Sequence, residues 1–215
     1  MTDATSDFGS GNARFWNRRA RKYAAQPVSD EIAYEHTLER TRAHISGDDS
    51  VLEVGCGTGT TALKLSGSVA SMTASDIAPE MIVIAREKQR SGVGVNVCFE
   101  VASLSDHLAR GETYDAVLAF NLLHLVGDVP AELAKVHALL NEKGLFISKS
   151  ACLGETGAML RWVIRLMQVF GKAPPITFFS KSELEKMIED AGFDIVETGT
   201  FPASPPARFI VARKT

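Results

Sequence analysis

The chain has 215 residues, of which 45% are hydrophobic and 23% charged, with a formal net charge of −3. That length suits one well-buried α/β domain rather than two independent ones, and the balance is that of an ordinary globular protein, not of a disordered or membrane-spanning chain. The near-neutral charge excludes a surface that tracks nucleic acid over its whole extent, and three widely spaced cysteines, Cys56, Cys98 and Cys152, form neither a disulfide framework nor a zinc-ligand pattern.

Residues 1–12 are small and polar and are expected to be frayed, with no apolar segment of the kind found in a leader or a membrane span, so the expected compartment is the cytoplasm. From Arg14 the pattern turns helical: Trp16, Ala20 and Tyr23 share one face, Arg18, Arg19, Arg21 and Lys22 cover the others, and Pro27 ends the segment. A second helix is expected from the N-cap Asp30. Strand-like and helix-like stretches then alternate: strand 51–54, helix 60–65, strand 69–76, helix 79–89 opened by Pro79, strands 95–102 and 114–121, helix 129–140, and strand 145–150 after a turn at Lys143 and Gly144. This rhythm predicts a parallel sheet covered on both faces, with ligands bound at the carboxyl ends of the strands. A helix over 158–170 is apolar around most of its circumference, a helix capped by Ser180 or Ser182 leads to Gly192, and 193–199 and 207–214 look like an antiparallel pair.

Within "VLEVGCGTGTT", a strand closes on Glu53 and delivers Gly55, Gly57 and Gly59 at alternate positions. Such a loop runs through positive φ and brings backbone N–H groups against a ligand with no Cβ in the way. The dinucleotide fingerprint G-x-G-x-x-G requires a glycine where Thr60 stands, so a nicotinamide oxidoreductase fits poorly. Asp76, at the tip of the next strand, is placed to accept hydrogen bonds from the vicinal hydroxyls of a ribose, and Ile77 and Met81 could supply apolar surface to a purine. Asp76 also suits a helix N-cap, and both roles can hold at once.

Together "VLEVGCGTG", "ASDIAPEMI", "YDAVLAFNLLHLV", "LLNEKGLFI" and "SELEKMIEDAGF" resemble the class I S-adenosylmethionine-dependent methyltransferases over essentially the whole chain. The resemblance implies a single Rossmann-like domain over 1–215: a doubly wound, mostly parallel seven-stranded sheet with an antiparallel last strand and helices on both faces. It implies an N-terminal helical lid over 13–47, a cofactor-binding core over 50–150 and a helical insertion over 151–180 above the acceptor site. It also implies that Gly55, Cys56, Gly57 and Gly59 lie against the methionine part of S-adenosylmethionine, that Glu53 orders the loop or meets the amino group, and that Asp76 holds the ribose. Ile77, Met81, Ser103 and Leu104 fall to the adenine end, and Asn121 to the amino or carboxylate end. In many such enzymes an acidic residue caps the adenine amino group where Ser103 stands here, so Ser103, or Asp106 nearby, is the expected partner.

Methyl transfer from a sulfonium is an in-line displacement and needs no nucleophile on the protein, so positioning can supply much of the acceleration. A base matters only for an acceptor that must lose a proton, and His124 is the residue after strand 114–121 with a suitable pKa, unless it is a hydrogen-bonded core histidine. Trp16 and Tyr23 either line a lid or pack their helix on the sheet. The apolar 158–170 helix with Trp162 is explained by an apolar acceptor, a dimer interface, a bilayer surface or core packing. The expectation is methyl transfer to a small apolar or aromatic molecule, quinone-like or lipid-like, by a monomer or homodimer without a metal. The alternatives are an RNA or protein methyltransferase, disfavoured because "FNLL" stands where an N-P-P-Y type motif would, and a non-catalytic protein retaining the fold.

Overall fold

Side-chain alternation along the strands decides the architecture. In the computed structural model, which describes residues 4–90, 92–154, 156, 158–170 and 173–215, β1 (Ser50–Val54) turns Leu52 and Val54 to one face and Val51 to the other. β4 (Tyr114–Phe120) does the same with Val117 and Ala119 against Ala116 and Leu118, as a strand buried on both faces must. Helices α6 (Val129–Leu139) and α8 (Lys181–Asp190) cover the first face through Leu133, Val136, Leu184 and Ile188. Helices α2 (Glu31–Arg42), α3 (Thr60–Leu65) and α4 (Pro79–Gln89) cover the second through Leu38, Ala62, Leu65 and Ile82.

The remaining strands are β2 (Ser71–Asp76), β3 (Val97–Val101), β5 (Leu140–Ala151), β6 (Phe193–Thr200) and β7 (Ala207–Lys214). The sheet order is β3-β2-β1-β4-β5-β7-β6, parallel throughout except for β7, which runs antiparallel between β5 and β6. This is the seven-stranded, doubly wound sheet that the resemblance implies. Because β1 has β2 on one side and β4 on the other, the winding reverses there, and a crevice opens at the carboxyl ends of β1 and β4.

Three local features differ from the sequence expectation. Helix α1 runs from Ala4 to Ala24, so residues 4–12 are helical rather than frayed, and the buried Asn12 and Phe15 explain why; residues 1–3 lie outside those described. A short helix, α5 (Leu104–Ala109), interrupts the stretch between β3 and β4, held by a capping box in which Ser103 and Asp106 exchange hydrogen bonds with each other's backbone N–H. β5 begins at Leu140 instead of after the turn, the excess being absorbed in an irregularity opposite Tyr114 and Ala116, with Lys143 at φ 61°.

Gly59 shows how tightly the β1–α3 connection is built. It has φ 73°, and a Cβ there would stand 2.6 Å from Phe99 Cε1 and 2.8 Å from Ala85 Cβ. Gly57, with φ 55°, has nothing within 4 Å of the same point. Gly59→Ala is expected to cost about 2–4 kcal/mol, from strain and overpacking together, and Gly57→Ala about 1 kcal/mol from strain alone. Urea denaturation of the two variants checks this; equal losses would show that the packing against Phe99 does not constrain the loop.

Candidate functional site

The turn after β1 is fastened at several points. Cys56 N–H donates to Ser75 O at 3.0 Å, joining the turn to β2, and Gly59 N–H donates to Cys56 O at 3.0 Å, closing it. The Lys88 ammonium on α4 donates to the hydroxyls of Thr58 and Thr60, both at 2.7 Å. A Cβ on Gly55 would meet Leu122 Cδ1 at 2.8 Å, so Gly55 serves close packing, whereas Gly57 faces open space. The Cys56 side chain points into the core, where burial pushes its thiol pKa up, so only its backbone belongs to the loop.

Two carboxyls flank this turn. Asp76 accepts from Gly57 N–H at 3.0 Å on one oxygen and from Ala78 N–H at 2.8 Å on the other. Burial raises its pKa, and these two N–H groups oppose the rise by stabilising the anion. Glu53 lies on the α3 side of β1, 3% exposed, and takes a backbone hydrogen bond from Ala62. Its Oε2 is buried without a partner. Desolvation, with the neighbouring Asp76 charge second, pushes the Glu53 pKa up from 4.5 to about 8. At neutral pH the free protein therefore holds Glu53 mainly protonated, while the Asp76 carboxyl across Gly57 has two N–H donors that favour its anion.

The other sequence-predicted residues separate into groups. Ile77 is 39% exposed beside Asp76, an apolar surface open to a ligand, whereas Met81 is buried beneath α1 with Ala20, Ala78 and Ile84. Ser103 spends its hydroxyl on Asp106 at 2.7 Å, and the Leu104 side chain is buried in the core. Asn121 has φ 55°, a conformation asparagine tolerates better than most residues, and its N–H donates to Lys149 O at 2.7 Å. His124 lies in the 3₁₀ turn Leu123–Leu125, with its carbonyl accepting from Thr177 N–H at 2.8 Å. Its Nδ1 is buried without a partner, and burial lowers its pKa to about 4. It is therefore neutral at physiological pH and too weakly basic in this state for efficient proton removal.

Helix α1 bridges the turn after β4 and helix α4. Asn12 Nδ2 donates to Leu125 O at 2.6 Å, Glu80 N–H donates to Asn17 Oδ1 at 3.0 Å, and Arg21 pairs with Glu87. α1 is thus tied at one point to the turn after β4 and at two points to α4. Trp16 packs on the Met81 cluster and meets the Tyr23 ring edge-on at 5.6 Å, and the Tyr23 phenol pKa is raised by burial and by the charge of Asp76. Both aromatics thus stand at the Asp76 side of the crevice. Trp162, on α7 (Ala158–Val169), is 72% exposed, and Met159, Leu166 and Phe170 beside it are exposed as well, so this face is not core packing.

Sequence reasoning missed Asn12, Lys88 and Lys149. Asn12 sits in the stretch read as frayed. Nothing local singles out Lys88, whereas a lysine in the apolar run of strand β5 was a legible anomaly. His107 is fully buried and bonded to Glu112 at 2.6 Å and Ser75 at 3.0 Å. Glu100, His107 and Glu112 form a trio of metal-ligand type, but Arg110 pairs with both glutamates and fills the role of the cation.

Comparison with known proteins fits this geometry. The family described as "Methyltransferase domain" matches residues 15–198. A ubiquinone biosynthesis O-methyltransferase of Azorhizobium caulinodans is 31% identical over 156 residues, 68% of this chain and 59% of that protein. The chain thus spans about three fifths of the length of that curated relative. Among solved structures, the DhpI–SAH complex is 26% identical with a TM-score of 0.74, covering 96% of this chain and 97% of the other. The magnesium protoporphyrin IX methyltransferase of Synechocystis PCC 6803 with bound SAH shares the fold, with TM-score 0.74 at 19% identity, covering 97% of this chain and all of that one.

Two predictions come from the buried titratable groups. Between pH 4.5 and about 8 the unfolded chain releases the Glu53 proton while the native state keeps it, so stability falls across that window and levels off above it. Glu53→Gln lacks this loss, and its Tm relative to wild type should rise from pH 5 to pH 9; a constant offset would place an ionised carboxylate at Glu53. For His124 the native state prefers the neutral ring, so nitrogen NMR of the imidazole should show no protonation from pH 8 down to pH 5.5, and a midpoint near 6.5 would mean the ring is solvated.

Proposed function

The chain belongs to the class I S-adenosylmethionine-dependent methyltransferases, and we propose that it methylates a small apolar or aromatic molecule bound at the carboxyl ends of β4 and β5. The observation that carries this reading is the pair of carboxyls, buried Glu53 and half-buried Asp76, around an open Gly57, because it matches the polarity of the cofactor. Each Asp76 oxygen accepts one N–H and keeps a lone pair for a ribose hydroxyl. The unpartnered Glu53 Oε2 calls for a donor, and an ammonium there would favour its ionised form. Gly57 leaves room for a ligand to lie directly on the backbone. The residues present therefore fit the group.

When bound, S-adenosylmethionine supplies a methyl group on a sulfonium sulfur, open to in-line attack by an acceptor lone pair. The chain's own part is positional. Asp76 orients the ribose end, with Ile77 as apolar surface beside it and the Ser103–Leu104 segment beyond; Glu53 and the Asn121 backbone orient the amino-acid end. Helix α1, with Trp16 and Tyr23, keeps water from the crevice. His124 offers a neutral ring with an unpartnered, buried Nδ1, suited to a hydrogen bond with an acceptor hydroxyl rather than to removing its proton unaided.

The acceptor class rests on two supports. α7 presents Trp162, Leu166 and Phe170 just beyond the end of β5, an apolar surface of the kind an aromatic or lipid-like molecule would contact. The name of the curated relative, ubiquinone biosynthesis O-methyltransferase, favours oxygen as the reacting atom and a quinone-like compound as acceptor.

Isothermal titration with S-adenosylmethionine, S-adenosylhomocysteine and NADH tests the cofactor arm, followed by mass spectrometry of catechols, quinols and lipids for a one-methyl gain. The expected result is micromolar binding of the first two, none of the third, and methylation of an aromatic hydroxyl; binding without methylation of any acceptor would favour a non-catalytic protein. Asp76→Ala should weaken S-adenosylhomocysteine binding by about 100-fold with the far-ultraviolet spectrum unchanged, and unaltered affinity would remove Asp76 from the ribose.

A further inference from the structure

Lys149 is a buried cation that the reading above does not use. It stands on β5 with 8% of its surface exposed, and its face of the strand is turned toward α2. Its ammonium donates to Thr37 Oγ1 at 2.9 Å, and Thr37 in turn donates to Ala33 O. The Phe201 ring lies 5.6 Å away on another side. Among the described residues no carboxylate lies within ion-pair distance, so a group with three N–H donors has one neutral hydroxyl to satisfy it. Burial lowers its pKa, and Asp30 at the start of α2 acts only through its field. A buried lysine this poorly matched is costly unless something else completes it.

The space beside it has complementary chemistry. Lys149 lines a small, partly open cavity of about 30 Å³ together with Tyr34, Thr37, Thr61, Phe120 and Asn121. This is room for roughly two waters, or for the two oxygens of a carboxylate. The lining holds three hydroxyls, one amide and one ammonium, and no acidic side chain. The Tyr34 and Thr61 hydroxyls are bonded to each other at 3.2 Å, which leaves one of their two hydrogens to point elsewhere. Two of the lining residues also belong to the crevice: Thr61 is in the first turn after the glycine loop, and Asn121 follows β4.

We propose that this cavity is an oxyanion subsite of the crevice, in which Lys149 and the hydroxyls of Tyr34 and Thr61 hold a carboxylate of a bound ligand. The inference rests on the reading of the chain as a methyltransferase whose ligands meet near Asn121. Two sources present this group there, the amino-acid carboxylate of the cofactor and a carboxylate on the acceptor, and an acceptor of the second kind would have an acidic end opposite its apolar body.

Calorimetry with the full chain, Lys149→Gln and Lys149→Met separates the sources. Glutamine keeps a donor for Thr37 and removes the charge. The probes are S-adenosylhomocysteine, 5′-methylthioadenosine, which lacks the amino-acid portion, and benzoate and octanoate titrated into protein saturated with S-adenosylhomocysteine. If the cofactor is the source, Lys149→Gln weakens S-adenosylhomocysteine by about tenfold or more and leaves 5′-methylthioadenosine unchanged. If the acceptor is the source, both nucleosides bind as before, and a carboxylate bound by the wild type is lost in the variant. The proposal is overturned if no probe depends on Lys149, or if 5′-methylthioadenosine weakens in parallel with the rest, which marks a structural lysine. Failure of S-adenosylhomocysteine to bind the wild type would instead overturn the methyltransferase reading itself.

Discussion

The crevice depends on one carboxylate. Asp76 ends β2, yet it reaches back to the turn after β1 through Gly57 N–H and forward to the entry of α4 through Ala78 N–H. A carboxylate held by backbone donors needs no partner side chain, and it helps to set the spacing of these three segments. The same arrangement polarises the site. Two N–H groups favour the Asp76 anion, and Glu53, desolvated by burial and facing that charge, has its pKa raised to about 8. Lys88 then fixes Thr58 and Thr60 from the α4 side, so the loop is clamped by α4 as well as by β2. The loop is thus a rigid seat, and the conformational freedom of its glycines is spent on geometry rather than on motion.

Most of the fold was legible because it rests on two periodicities. Strands buried on both faces give short apolar runs, helices between them give capped amphipathic segments, and the order of the two specifies a doubly wound sheet. The glycine loop and Asp76 were legible for a different reason: alternate glycines after a strand have few structural uses, and a carboxylate at the tip of the next strand narrows them further. The features that escaped depend on tertiary neighbours. Asn12 lies in a segment whose composition reads as disordered, and only the docking of α1 against the Leu125 carbonyl gives it a buried bond. Met81 reads as an open apolar residue until α1 covers it. The neutrality of Glu53 and His124 follows from the surroundings of each group, which no local pattern encodes.

The placement of α7 sharpens the same point. Its apolar circumference suggested cover from the rest of the chain, and three of the four explanations named for it were external. The exposure of Trp162, Met159, Leu166 and Phe170 removes the internal one. An amphipathic pattern records that a surface is meant to be covered, and it says nothing of whether the covering comes from the same molecule.

The position of β7 bears on the order in which the molecule can be assembled. β7 follows β6 in sequence but lies between β6 and β5, so β6 joins the sheet only through a strand that is made after it. The parallel half, β3-β2-β1-β4, is closed by successive crossovers of modest length and already contains the glycine loop, Asp76 and Glu53. Lys149, by contrast, is paired in register with Phe209 of β7. The Asp76 end of the crevice can therefore take shape from residues 50–120, whereas the cavity around Lys149 must await the long-range insertion of the final strand, the slower kind of step in chain folding.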